Sequence, residues 1–105
     1  MPELSGLPGA DWVERGLADL AARSETAPAL LVAIAGARLR RLGLLVPVHG
    51  IRDPELKLFE RLQGEESGSA HSRYNALLRS LGSFVHALER EQGMAIRKGL
   101  RPGRP

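Results

Sequence analysis

The 105-residue sequence contains no cysteine, which excludes disulfides, thiolate nucleophiles and cysteine-based zinc sites. Aromatic residues are scarce as well, since only Trp12, Phe59, Tyr74 and Phe84 occur. A hydrophobic core must therefore be built mainly from leucine, valine, isoleucine and alanine. A chain of this length is expected to form one domain that buries only about two-thirds of its unfolded surface. Association with copies of itself or with a partner would therefore stabilise it.

Long hydrophobic runs are also missing. The longest apolar stretch, residues 29–37, is less than half of the roughly 20 residues that a membrane span needs. The first four residues, Met1–Leu4, lack the basic segment and apolar run of a signal peptide. These features predict a soluble protein without a membrane partner, located in the cytoplasm.

Acidic residues are absent from the end of the chain. The net charge is +3, but residues 1–96 hold 11 basic and 12 acidic side chains, which nearly cancel. The last nine residues contain four basic residues and no acid. These four are Arg97, Lys98, Arg101 and Arg104. The sequence therefore predicts a nearly neutral body that carries a basic tail.

The first half of the sequence predicts two helices. Residues 1–9, with two prolines and two glycines, indicate an irregular, flexible arm. A first amphipathic helix is predicted over residues 10–23, in which Gly16 indicates a close helix neighbour. A second, over residues 29–42, is apolar until its last turn, which is typical of a buried central helix. Residues 24–26 (Ser-Glu-Thr) are expected to end the first helix and cap the second, and Gly43 is the expected C-cap of the second.

The second half predicts two more helices after an extended connection at residues 44–51. Asp53 as N-cap, followed by Pro54 at the first helical position, is a good helix start. Leu56, Phe59 and Leu62 form the apolar face of this short third helix, which is expected to end at Gly64. The longest helix is predicted over residues 70–92, with Gly93 as its end. The fold class is therefore all-α: a small bundle of about four helices, with a long C-terminal helix. The single helical domain spans residues 10–93, and residues 94–105 are expected to be a disordered basic tail.

The long helix carries an apolar stripe with alternating spacings of four and three, which is typical of helices that pack lengthwise. The five residues of this stripe are Tyr74, Leu78, Leu81, Val85 and Leu88. A helix of about 34 Å exceeds what its shorter neighbours require. The stripe is therefore predicted to form an oligomer interface, with a second copy of the chain as the partner.

Catalytic and metal-binding patterns are not found. His49, His71 and His86 lack the paired spacing of a zinc-binding helix, and the neighbouring carboxylates fall in a polar loop and on a solvated helix end. No glycine loop has the lysine and hydroxyl residue that a phosphate-binding loop requires. We therefore expect no catalytic residues, no metal, no cofactor and no enzymatic activity.

A helix-turn-helix is one alternative for the first two helices. Its recognition helix would be residues 28–35, which offer only apolar side chains, whereas reading base edges requires arginine, asparagine, glutamine or similar residues. A buried helical hairpin is therefore favoured over a DNA reader.

Each of the two groups of basic residues has two interpretations. Arg38, Arg40 and Arg41 lie in the last turn of the second helix, where they either complement the helix dipole or contact phosphates. The tail is either a solubilising terminus or an arm that neutralises phosphates without sequence preference. The candidate nucleic-acid contacts are Arg38, Arg40, Arg41, Arg97, Lys98, Arg101 and Arg104.

Three segments resemble the central part of phage terminase small subunits. They are Leu39–Leu45 (LRRLGLL), Asp53–Leu56 (DPEL) and the stretch from Arg73-Tyr-Asn-Ala-Leu to Ala87-Leu-Glu-Arg-Glu-Gln-Gly93. In that family a leucine-glycine-leucine-leucine turn precedes a short helix begun by aspartate and a long helix that closes on glycine. The resemblance covers roughly residues 39–93. It implies an oligomeric, non-enzymatic DNA-packaging factor that serves a separate, larger motor subunit in the cytoplasm of a phage-infected cell.

Our leading hypothesis from the sequence is a self-associating helical module that contacts nucleic acid non-specifically through its basic segments. The alternative is a protein–protein adaptor or structural subunit that has no role with nucleic acid.

Overall fold

The computed structural model describes the backbone of residues 2–97 and the side chains of residues 2–93. Within these residues the chain forms helices and connections but no β-strand. The helices are α1 (Ala10–Ala21), α2 (Ala27–Ile34), α3 (Gly36–Arg41), α4 (Pro54–Glu65) and α5 (Ala70–Arg97), with a 3₁₀ turn at Ser67–Ser69 before α5. The predicted all-α architecture with a long final helix is confirmed.

The centre of the molecule is α2, which packs against α1, α4 and α5. Its residues Leu30, Leu31 and Val32 are at most 2% exposed, as the apolar sequence predicts. Such burial leaves no face of α2 free to enter a DNA groove, so the hairpin interpretation of α1 and α2 fits the structure. The buried side chains of all the helices form a single hydrophobic cluster.

The contact between α1 and α2 depends on Gly16. A methyl group added there would overlap with the carbonyl oxygen of Pro28 and would lie 2.5 Å from Cγ2 of Val32. The close helix neighbour predicted from this glycine is therefore confirmed. Thr26 closes the hairpin: its Oγ1 accepts a hydrogen bond from the amide of Ala29 (3.2 Å) and donates one to Asp19 (2.6 Å).

The predicted second helix is in fact two. Regular α-helix ends at Ile34, Ala35 adopts φ −101° and ψ 14°, and α3 begins at Gly36. Glycine is a poor helix former, so the helix is weakest at this junction. Gly43 follows α3 with φ +94° and donates a hydrogen bond to the carbonyl of Arg40 (3.0 Å), which confirms it as the C-cap glycine.

Two details of α4 differ from the sequence prediction. Asp53 precedes the helix but makes no side-chain capping hydrogen bond. Leu56, predicted to face the core, is 56% exposed, whereas Leu58 and Leu62 are fully buried. The buried face is therefore set by residues four apart, 58 and 62, and Leu56 lies outside it.

The ends of the bundle also differ from expectation. The irregular arm at residues 2–9 packs onto the bundle, because Leu4 is only 4% exposed and Gly9 lies against the backbone of Ser80. Within the arm, the Ser5 amide donates a hydrogen bond to Glu3 (3.0 Å) and so lowers the pKa of that carboxyl. The predicted end of the long helix at Gly93 is wrong, since α5 continues to Arg97. A single glycine costs only about 1 kcal/mol, and good helix formers follow it.

Candidate nucleic-acid interface at the basic end

The last turn of α3 lies against α5 near its C-terminal end. Nη2 of Arg38 donates hydrogen bonds to both carboxylate oxygens of Glu89, at 2.9 and 3.0 Å. One turn further, Nε2 of Gln92 donates a hydrogen bond to the carbonyl oxygen of Leu42 (2.8 Å), a group left without a partner inside α3. We name residues 38–42, at the C-terminal end of α3, and residues 89–97 of α5 the basic end.

The three arginines of α3 are held differently. Arg38 is paired with Glu89, and both side chains remain partly exposed, at 55% and 39%. Arg40 donates weak hydrogen bonds to the carbonyl oxygens of Val46 and Pro47, at 3.4 and 3.3 Å. Arg41 is exposed and forms no hydrogen bond or ion pair with any side chain or backbone group that the structure describes. Of the three, Arg41 is therefore the most available to an external anion.

The basic tail starts beside these arginines. Gln92 touches the end of α3, and Arg97 closes the described part of α5 only five residues later, about 7.5 Å along the helix. Lys98, Arg101 and Arg104, which are further predicted contacts, lie outside the described residues, as does the side chain of Arg97. The structure thus places the α3 arginines and the backbone of Arg97, where the second basic segment begins, at the same end of the described part of the molecule.

The charge of the chain divides along the same line. The basic end and the residues that follow it, 38–42 and 89–105, hold eight basic and two acidic side chains, a net charge of +6. The other residues hold seven basic and ten acidic side chains, a net charge of −3. When the sequence is divided only into residues 1–96 and the tail, this asymmetry is hidden, because the α3 arginines are counted together with the acidic residues of the body.

The residues predicted to form an oligomer interface face the core of their own chain. Leu81, Val85 and Leu88 are at most 7% exposed, while Tyr74 and Leu78 are half-buried at its edge. The apolar stripe of α5 therefore packs on α4 and α2, and Phe84, fully buried, widens it. An interface between copies stays a prediction. Of the five stripe residues, only Tyr74 and Leu78 have accessible surface that such an interface could use.

The histidines lie apart from one another. Nδ1 of His49 accepts a hydrogen bond from the amide of Ile51 (3.2 Å), and His71 meets the ring of Phe59 edge-on, with 5.6 Å between centroids. His86 is exposed on α5. Within residues 2–93, no three histidine, aspartate or glutamate side chains come close enough together to hold a metal ion.

Three surface grooves of the described region are lined by residues outside the basic end. One, with a volume of about 520 Å³, runs between the end of α1 and the connection after α3. Its lining includes the apolar side chains of Leu20, Val48 and Ile51 and the side chains of Arg23 and His49. In the part of the chain that the structure covers, no polar side-chain atom is buried without a hydrogen-bond partner, so this groove holds no buried, unpaired polar group.

Comparison of the chain with family models, with curated proteins and with solved structures finds no match. Among the helices described, none combines the length and the hydropathy that crossing a membrane requires.

Proposed function

We propose that this protein is a non-enzymatic helical module that contacts nucleic acid without sequence preference through its basic end. The observation that carries the proposal is the meeting of the α3 arginines with the start of the basic tail, against an otherwise acidic molecule. A phosphate backbone is the natural partner of such a concentration of arginine, since each phosphate that is neutralised releases condensed counterions. Arginine also binds phosphate oxygens through two parallel hydrogen bonds.

The lack of sequence preference follows from what the helices expose. Base readout needs a helix or ribbon that enters a groove with polar side chains in register, and the central helix α2 is buried. The arginines of α3 occupy its last turn. This turn presents positive charge, but no face of polar side chains in register continues from it. Contacts of this type position a protein on the backbone and carry no sequence information.

Salt titration of DNA binding tests the proposal. If the four basic residues from Arg97 onward and Arg41 each neutralise one phosphate, the slope of log K against log salt for duplex DNA is about −4.5. We expect deletion of residues 97–105 to flatten this slope to about −0.9, measured by fluorescence anisotropy between about 50 and 200 mM salt. Circular dichroism of the truncated chain verifies that the helices remain.

A matched control uses Arg79, which is also exposed on α5 but lies ten residues before Glu89, about 15 Å away along the helix. Arg79→Gln removes one positive charge outside the basic end and should change the slope by less than half of what Arg41→Gln does. Undiminished binding by the truncated chain, or no binding by the full chain at low salt, would contradict the proposal.

Self-association belongs to the same proposal, and the resemblance to phage terminase small subunits gives it its most specific form: an oligomeric packaging factor, in the cytoplasm of an infected cell, that delivers DNA to a larger motor protein. An oligomer would place several tails on one DNA and raise the avidity without new contacts. Light scattering with and without duplex DNA measures the mass. A mass equal to one chain in both conditions would remove the oligomer from the proposal.

An adaptor without nucleic-acid binding is the second candidate. It is favoured by exposed apolar side chains on and next to the connection between α3 and α4, where Leu45 is 75%, Val48 94% and Leu56 56% exposed. These three residues lie within 12 positions of one another in sequence, and contiguous exposed apolar patches often mark protein contacts. If the full chain fails to bind DNA at low salt, and Val48→Ser lowers the mass measured by light scattering, the adaptor function is supported.

A further inference from the structure

The ion pair between Arg38 and Glu89 lies inside the basic end. Nη2 of Arg38 donates to both carboxylate oxygens of Glu89, at 2.9 and 3.0 Å, so this nitrogen, one of the donors that a phosphate would use, is already paired. Glu89 is one of only two acidic residues in the basic end. The other, Glu91, is exposed and forms no ion pair or hydrogen bond within residues 2–93.

We propose that Glu89 is an internal competitor of phosphate for Arg38, and that it limits the affinity of the basic end for nucleic acid. The inference rests on the proposed function, because it concerns the same surface. Carboxylate and phosphate present similar pairs of oxygens to a guanidinium, and arginine binds both through two hydrogen bonds. While Glu89 holds Arg38, one of the α3 arginines is withheld from the phosphate backbone.

The exposure of the pair makes the competition reversible. Both side chains remain partly accessible to water, and exposed ion pairs of this kind are weak. A phosphate can therefore displace Glu89, but it must first separate the pair, and the carboxylate released stays close to the DNA and repels it. Both effects lower the affinity for nucleic acid. Removal of the Glu89 carboxylate, with no other change, should reverse both.

The test compares Glu89→Gln with Glu91→Gln in the full chain, using short duplex DNA as the probe. Each variant removes one negative charge from the same part of α5, but only Glu89→Gln frees Arg38. If Arg38 then neutralises one more phosphate, the salt slope steepens by about 0.9, and the affinity at 100 mM salt rises about fivefold to tenfold. Glu91→Gln should raise the affinity by less than half as much and leave the slope unchanged.

Arg38→Gln completes a double-mutant cycle. Alone, it should lower the affinity less than Arg41→Gln does, because Nη2 of Arg38 is already paired with Glu89; combined with Glu89→Gln, it should abolish the gain. Equal gains from both glutamate variants, or a gain that persists without Arg38, would overturn the inference while leaving the proposed function intact. Absence of DNA binding by the wild-type chain at low salt would overturn the proposed function and the inference together.

Discussion

The helices α2 and α3 are separated by one residue, Ala35, yet they serve different purposes. Helix α2 is apolar on every side and packs against three other helices. Helix α3 anchors itself through the buried Leu39 and presents three arginines in its last turn. The interruption at Ala35 thus separates a segment that holds the fold together from one that displays charge, and the energetic consequences of substitution should differ accordingly.

The difference extends to what each helix contacts. Close packing of apolar atoms dominates around α2, and Gly16 of α1 touches its backbone directly. Around the end of α3 the contacts are polar and partly exposed: one ion pair and one hydrogen bond to α5. Buried apolar contacts are worth several kcal/mol each, whereas exposed polar ones are worth about 1 kcal/mol or less. Stability should therefore depend on α2, and binding on α3.

The largest effect is expected from Leu31→Ala in α2. Leu31 is 1% exposed, and its truncation leaves a cavity in the core, so the free energy of unfolding should fall by about 3 kcal/mol. Urea denaturation followed by circular dichroism measures it. Leu45→Ala removes the same atoms from a side chain that is 75% exposed and should cost less than about 0.5 kcal/mol. Similar losses in both variants would deny that α2 is the centre of the fold.

Gly16→Ala should have the next largest effect. The added methyl overlaps with the Pro28 backbone, which cannot move away as a flexible side chain would, so the hairpin must separate at a cost of about 2 kcal/mol. Gly82→Ala is the control, because Gly82 lies in α5 with no atom within 4 Å of an added methyl. There, alanine should stabilise the helix by up to about 1 kcal/mol. Changes of the same sign would contradict this account of the α1–α2 contact.

Local sequence signals predicted many elements of the fold well. Gly16 indicated a close contact, the Ser-Glu-Thr segment at residues 24–26 a helix cap and Gly43 a helix end, because each residue type has a backbone or hydrogen-bonding property that acts locally. The break at Ala35 was missed because the apolar run continues through it, although Gly36, a poor helix former, was a local signal that could have indicated it. The exposure of the Leu56 side chain was also not predicted, because the face of α4 that is buried depends on the helices that α4 packs against.

The candidate site was predictable only in part. Arg38, Arg40 and Arg41 were visible as a basic cluster, but their partners were not, because Glu89 is 51 residues away from Arg38 in sequence. The meeting of α3 with the end of α5 depends on tertiary packing. Conversely, the alternating stripe of α5 indicated packing correctly but could not distinguish a contact within the chain from one between copies, since both require the same apolar spacing.

A smaller effect is expected at Arg41, and it should concern binding alone. Arg41→Gln removes an exposed charge without breaking any contact within the described residues, so the free energy of unfolding should change by less than about 0.5 kcal/mol. Affinity for duplex DNA at 100 mM salt should fall about fivefold, with a salt slope shallower by about 0.9. Fluorescence anisotropy and urea denaturation of the same preparation measure both quantities. A loss of stability without a loss of affinity would reverse the roles assigned to α2 and α3.

The smallest effect is expected from Gln92→Ala, which tests how firmly α3 is held against α5. The side-chain amide of Gln92 satisfies the Leu42 carbonyl at 2.8 Å, and a neutral hydrogen bond of this kind contributes about 1 kcal/mol. Water can replace the amide at this partly exposed site, so the loss in urea denaturation should be about 0.5 kcal/mol. Glu91→Ala, one position earlier and exposed, is the control and should cost less. If Gln92→Ala instead destabilised the chain as much as Leu31→Ala, the basic end would be part of the stabilising core. The assignment of stability to α2 and of binding to α3 would then be wrong.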